Sequence, residues 1–255
     1  MTALIEFLAL RAVPGVEAAG DGSFRRTVRL AHGPAVVALG AAEERVDRRD
    51  RAGAARALER LAGADPAAAD AHLAGDPVLG PLIAARPGLR MPGTVDGGEL
   101  AVRAVLGQQV SLAAARTLAG RLVQLAGEPL DEPAGSLTHL WPRPEAIAEA
   151  APRMPMPRSR QRTLAALATA LTDGLVLERE ALLELPGIGP WTADYVAMRL
   201  GDPDAWLPTD LGVRRGLERL GVGEEAAEAW RPFRAHAVRH LWAVAGLSAN
   251  VNPGH

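Results

Sequence analysis

No cysteine occurs among the 255 residues. Disulfides, thiol catalysis, cysteine-ligated zinc and cysteine-ligated iron–sulfur clusters are therefore excluded. Lysine is equally absent, and all 28 cationic side chains are arginine. GC-rich coding is the simplest cause, and the consequence is that no lysine side chain can form a Schiff base. Aromatic residues make up 4% of the chain and include a single tyrosine, so a local cluster of them carries information. No apolar run approaches the roughly 18 residues that a membrane-spanning helix needs. The first residues, Met1-Thr-Ala-Leu-Ile-Glu-Phe, lack a basic region and place Glu6 within the apolar run, which argues against a signal peptide. A soluble, intracellular protein is expected. The net charge of −2 gives no general attraction to nucleic acid, yet a DNA-binding protein needs positive charge only where the backbone lies.

What the chain does have is 48% hydrophobic residues, enough for one large or two modest domains. Leu4, Ile5, Phe7, Leu8 and Ala12 fit one helical face. After Gly20-Asp21-Gly22 the period becomes two, from Phe24 to Leu30. Gly33-Pro34 then turns into Ala35-Val36-Val37-Ala38-Leu39, which reads as a hairpin in a small α+β unit. Residues 43–51 form a charged run and read as a solvated linker or helix face. Beyond residue 52 the pattern is helical with punctuation. Helices are expected over 52–61, over 99–125 with an interruption at Gly107-Gln108-Gln109, and over 162–171, 178–185, 191–200, 211–220 and 224–246. Residues 86–93 and 127–144, rich in proline and glycine, are expected to be irregular.

The most informative string is Leu185-Pro186-Gly187-Ile188-Gly189-Pro190-Trp191, followed downstream by Leu207-Pro208-Thr209-Asp210. It reads as helix, tight turn, helix, then a carboxylate at the head of the next helix. Gly187 and Gly189 permit backbone geometry and close approaches that a Cβ would block. Pro190 suits the first turn of a helix, where its missing N–H costs nothing. Backbone N–H groups around Gly187, Gly189 and Trp191 then make an anion site suited to a DNA phosphate. Trp191 and Tyr195 are four residues apart and share a helical face, and flat rings beside a phosphate site suit an unstacked base. Core packing is the ordinary role of such a pair, and an N-cap the ordinary role of Asp210 or Thr209. A cap also presents its carboxylate at the end of an element, so capping and chemistry are compatible.

LPGIGPWTADYVAMRL followed by LPTD resembles the helix-hairpin-helix DNA glycosylases, and within them the bacterial 3-methyladenine DNA glycosylase II group. The strings Arg86-Pro-Gly-Leu-Arg-Met-Pro-Gly and Val102-Arg-Ala-Val-Leu-Gly-Gln-Gln-Val-Ser favour that alkylpurine group. With the segment 157–171 and Arg239-His-Leu-Trp, the resemblance covers nearly the whole chain. It implies a mainly α fold. A small N-terminal α+β domain, residues 1–70, would precede a helical glycosylase domain, residues 71–255. That domain would consist of two helical subdomains with a cleft between them, and contain the hairpin unit at about 178–200.

By position, the resemblance makes Asp210 the catalytic carboxylate. It places Trp191, Tyr195 and Trp242 around the base pocket, and makes Gly187, Ile188 and Gly189 the phosphate anchor. Gln109 stands where a leucine wedge is found in the family, and would fill the gap left by a flipped base. No catalytic metal or organic cofactor is implied, only a monovalent cation held by backbone carbonyls at the hairpin. Trp191 stands where bifunctional members carry a lysine nucleophile. The N-terminal domain begins about one strand later than the family pattern. The implied partner is double-stranded DNA containing damaged bases, and the implied state a monomer, cytoplasmic and at the nucleoid when acting.

The implied activity is monofunctional hydrolysis of the N-glycosidic bond of alkylated purines, in base excision repair. Two alternatives stand beside it: a non-catalytic hairpin module clamping phosphates, and a glycosylase for another base lesion. A clamp needs neither Asp210 nor the aromatic pair. Arg103, Arg116, Arg158, Arg160, Arg214 and Arg215 are candidate contacts to the DNA backbone.

Overall fold

The computed structural model describes residues 1–40 and 45–246. Helix α1 (Thr2–Arg11) leads into an antiparallel meander of β1 (Glu17–Gly20), β2 (Ser23–Leu30) and β3 (Gly33–Leu39). Alternating side chains set its register: Glu17 faces Arg26, and Phe24 faces Leu39. The single hairpin expected from the sequence is thus a three-stranded sheet. Of the charged run 43–51, residues 43 and 44 lie outside the described residues. Arg45 bridges Val36, residues 48–50 make a 3₁₀ turn, and α2 (Arg51–Ala62) follows.

The helical remainder comprises α3 (Ala67–Leu73), α4 (Leu79–Ala85), α5 (Gly97–Leu106), α6 (Leu112–Ala126), α7 (Pro144–Ala150), α8 (Arg158–Thr172), α9 (Arg179–Leu183), α10 (Pro190–Leu200), α11 (Leu211–Leu220) and α12 (Arg234–Val244). Two expectations are corrected. The segment 127–144 holds a second hairpin, β4 (Glu128–Ala134) and β5 (Leu137–Leu140), which docks on the first sheet through Thr27 Oγ1 to the His139 carbonyl at 2.7 Å. Pro129 and Pro133 sit in β4, a strand paired on one side only, where a missing N–H is tolerated. The single helix expected over 224–246 is instead a 3₁₀ helix, Glu224–Trp230, followed by α12. Pro232, between them, cannot donate the N–H that a continuous helix requires.

Apolar side chains form two main cores. One gathers α1, α3, α4, α11 and α12 around Phe7, Trp230 and Trp242. The other gathers α5, α6, α7, α8 and part of α10 around Leu122, Leu164 and Val196. Helix α10 joins them, with Met198 in the first and Ala193 in the second, and Tyr195 packs against both. A helix shared by two cores lies along the seam between two helical units, and the string Leu185–Trp191 runs into its N-terminus. None of the described helices is long and apolar enough to cross a membrane.

Candidate active site

Gly187 sits at φ +81°, a conformation that side chains rarely adopt, and an added Cβ would lie 2.0 Å from Thr163 Oγ1. The turn is therefore built around a missing side chain. Gly189 differs: its backbone is extended, it caps α10, and nothing lies within 4 Å of where its Cβ would be. Its bareness leaves the approach to the helix N-terminus open. Pro190 occupies the first turn, as expected. Ile188 is buried in the second core, so its side chain fixes the turn while the backbone faces out. Among the described residues, no hydrogen bond engages the N–H of Gly187, Gly189 or Trp191. These donors lie unpaired at a helix N-terminus, where the sequence places an anion site.

Gln108, on the turn between α5 and α6, donates to the Gly187 carbonyl at 3.0 Å and to Thr192 Oγ1 at 3.2 Å. This tether was not foreseen. Its neighbour Gln109 is exposed at φ +54° and lines the same groove as Gly187, Trp191, Thr192 and Thr209. The Gly189 carbonyl accepts from Thr192 and Ala193. The Gly187 carbonyl, which accepts only from Gln108, keeps a lone pair that suits a monovalent cation at the turn, and no step described below runs through one.

Asp210 is the N-cap of α11. Its Oδ1 accepts from Val213 N at 2.9 Å and from the Trp242 indole N–H at 2.8 Å. Its Oδ2 accepts from the Trp191 indole N–H at 3.1 Å. The residue is 0% exposed, and all three partners donate. Trp191 stacks on Tyr195 with ring centroids 5.1 Å apart, and Trp242 stacks on Phe7 at 6.4 Å. Trp242 reaches Asp210 because α11 and α12 pack very closely: a Cβ on Gly216 would lie 2.7 Å from the Leu241 carbonyl oxygen. Trp191, Tyr195 and Trp242 all line one cavity of about 110 Å³. Trp242 is almost wholly buried, so it holds the carboxylate as well as walling the cavity.

Sequence reasoning missed the support beneath these rings. Arg199, one turn beyond Tyr195, donates to its phenol oxygen at 2.6 Å and to the Pro92 and Gly93 carbonyls. Burial pushes the Tyr195 phenol up, but the guanidiniums of Arg199, Arg11 and Arg103 more than reverse this and leave it below its ordinary range. Arg103, a candidate DNA contact by sequence, points inward: it pairs with Glu17 and Glu99 and donates to the Arg11 carbonyl. Arg116 likewise donates to the Ala12 carbonyl and lines the cavity. Arg158, Arg214 and Arg215 are exposed, and Arg160 lines the groove beside the hairpin.

A model of the AlkA N-terminal domain matches residues 1–96. DNA-3-methyladenine glycosylase 2 of Escherichia coli strain K12 is 34% identical over 272 residues, covering 95% of this chain and 93% of that protein. The chain belongs to the 3-methyladenine DNA glycosylase II family. It is also 44% identical over 261 residues to a probable bifunctional transcriptional activator/DNA repair enzyme AlkA of Mycobacterium tuberculosis strain H37Rv. That match covers 92% of the chain, which spans about half (53%) of the relative's length. A 3-methyladenine DNA glycosylase from Archaeoglobus fulgidus shares the fold with a TM-score of 0.79 at 22% identity, over 96% of this chain and 94% of that one. The glycosylase II fold is thus present from α1 to α12, with the hairpin of α9 and α10 and the cap of α11 meeting at its seam.

Proposed function

We propose that the protein is a monofunctional DNA glycosylase that releases alkylated purines, of the 3-methyladenine and 7-methylguanine type, from double-stranded DNA in the cytoplasm. The observation that carries this reading is Asp210: a fully buried carboxylate held by two indole N–H groups and a helix N-terminus, beside a stacked Trp191–Tyr195 pair. A clamp for phosphates has no use for such a group.

The mechanism follows from these parts. The free N–H groups of the hairpin hold a phosphate, Gln109 enters the duplex, and the damaged nucleotide turns out toward the cavity. Methylation at N3 or N7 makes the base cationic and weakens its bond to the sugar, so the leaving base needs no strong acid. The π faces of Trp191 and Tyr195 favour that cation by about 0.5–2 kcal/mol. Asp210 Oδ2, on the Trp191 side, faces the developing oxocarbenium ion, stabilises it and orients the attacking water. The C–N bond breaks, water adds to C1′, and the products are a free base and an abasic site. No lysine is available to form an imine with that site, so lysine-dependent strand cleavage does not follow.

The test is base release from DNA treated with a methylating agent, wild type beside Asp210→Asn, with products separated by chromatography. Wild type should release methylated purines and leave an unnicked abasic strand. Asp210→Asn should bind DNA and release base orders of magnitude more slowly. Normal excision by Asp210→Asn would falsify the mechanism.

A further inference from the structure

Away from this site, α12 carries a second cluster of chemistry-bearing groups. His236 and His240 lie one helical turn apart, facing Asp70 on α3. His236 Nε2 stands 2.7 Å from Asp70 Oδ1, and His240 Nε2 stands 3.2 Å from His236 Nε2. One donor atom from each residue therefore converges, all three within 4.8 Å of one another. His240 is completely buried, His236 nearly so, and Asp70 is partly open to solvent.

The protons of this cluster cannot be placed without conflict. If His236 carries its proton on Nε2, it satisfies Asp70. His240 then keeps its own proton on Nδ1, a buried atom without a hydrogen-bond partner among the described residues. If His240 is protonated on Nε2 instead, it donates to His236, whose bare nitrogen then faces a bare carboxylate oxygen. A cation at the centre takes all three lone pairs at once and removes the second conflict, with the His240 proton on Nδ1 as in the first arrangement. The imidazole spacing suits it, while the 2.7 Å contact between His236 and Asp70 would open by roughly half an ångström to admit the ion. Two ligand atoms about 2.0–2.1 Å from a tetrahedral zinc ion stand about 3.3 Å apart, close to the observed 3.2 Å between the imidazoles. Two histidines at i and i+4 on one helix face are a recurring zinc pair.

We propose that Asp70, His236 and His240 form a site for a divalent transition-metal ion of the zinc class, with water as fourth ligand, that pins α3 to α12. The sequence reading expected no such metal, because a histidine pair acquires a carboxylate partner 166 positions away only through the fold. Ligation needs the uncharged imidazole, and both rings are buried, which disfavours the charged form. The nitrogen-rich donor set suits zinc and not magnesium or calcium. Arg86 and Arg239 add positive charge nearby, so the ion should exchange with a chelator. The ion would also brace the active site, since Trp242 lies two residues beyond His240 on α12.

The experiment uses the untagged chain, stripped with EDTA and titrated with zinc sulfate by calorimetry, beside magnesium chloride. Wild type should take up one zinc ion and no magnesium. At a hundredfold excess over Kd its melting temperature should rise by about 5–10 °C. Asp70→Asn keeps the size and part of the hydrogen bonding of the native residue, and should bind zinc at least tenfold more weakly, as should His236→Gln. His32, His72, His139 and His255 stay in every variant and supply the background for adventitious binding. Absence of zinc uptake by wild type, or unchanged uptake in both variants, overturns the proposal. Cobalt substitution of wild type decides the matter if the variants do not fold. Intense visible bands of a tetrahedral ion support the site, and only the faint bands of a solvated ion overturn it.

Discussion

Asp210 does two jobs with one atom. Oδ1 caps α11 through Val213 and also accepts the Trp242 indole N–H, which leaves Oδ2 with the single Trp191 contact. The position of the carboxylate is thus fixed chiefly by the two bonds to Oδ1. Trp242→Phe tests that division of labour. Phenylalanine retains an apolar ring against Phe7 and loses only the N–H donor and some volume. A hydrogen bond to a charged group contributes about 1.5–3 kcal/mol, so single-turnover base release should fall by roughly 10–150-fold. DNA affinity should change little, because the hairpin is untouched. A rate within twofold of wild type would show that the cap alone positions Asp210.

Among elements, the α9–α10 hairpin, the phosphate socket of the proposed mechanism, is held in shape by its neighbours. Thr163 of α8 fills the space where a Gly187 side chain would go, and Gln108 ties the hairpin to the α5–α6 turn. Gly187→Ala should therefore cost about 1–2 kcal/mol for the left-handed backbone, with the clash against Thr163 added. The expected outcome is a melting temperature lower by several degrees and weaker binding to undamaged duplex, measured by fluorescence anisotropy at fixed salt. Equal affinity and equal melting temperature would mean that the turn is not the anchor. Such elements were legible because their signals are local. Asp210 and Gly221 bracket α11 at the expected ends, and Trp191, Tyr195 and Asp210 fall within one short stretch of chain. The β4–β5 hairpin was not legible, since its prolines and Gly135 carry the same signal as a loop, and only docking on β2 makes it a strand pair. Phe7, Gln108 and Arg199 were missed for a related reason. Each acts through partners distant in sequence or through a backbone carbonyl, and neither leaves a pattern to read.

At the scale of the molecule, the N-terminal sheet is joined to the helical body by buried charge. Arg26 on β2 pairs with Glu17 on β1 at 2.9 Å and with Glu99 on α5 at 2.6 Å, and Arg103 on α5 closes the ring by pairing with both carboxylates. Burial pushes the Glu99 carboxyl up, but Arg26 and Arg103 more than reverse it and hold it below its ordinary 4.5. The unfolded chain therefore takes up this proton more readily than the folded one. The stabilisation from Glu99 is complete above about pH 4.5 and is lost as pH falls through the lower, folded value. Thermal melting should accordingly hold steady from neutral pH toward pH 5 and fall steeply on further acidification. Glu99→Gln should flatten part of that acid slope. At neutral pH it should also lower the melting temperature by about 10 °C, because removing one partner of a buried ion pair costs about 3–5 kcal/mol. Loss of this joint should carry the active site with it, since α1, which brings Phe7 against Trp242, ends at the Arg11 carbonyl that Arg103 holds at 2.7 Å. If Glu99→Gln melts at the wild-type temperature with an unchanged acid slope, apolar packing alone unites the two parts and the charge ring is incidental.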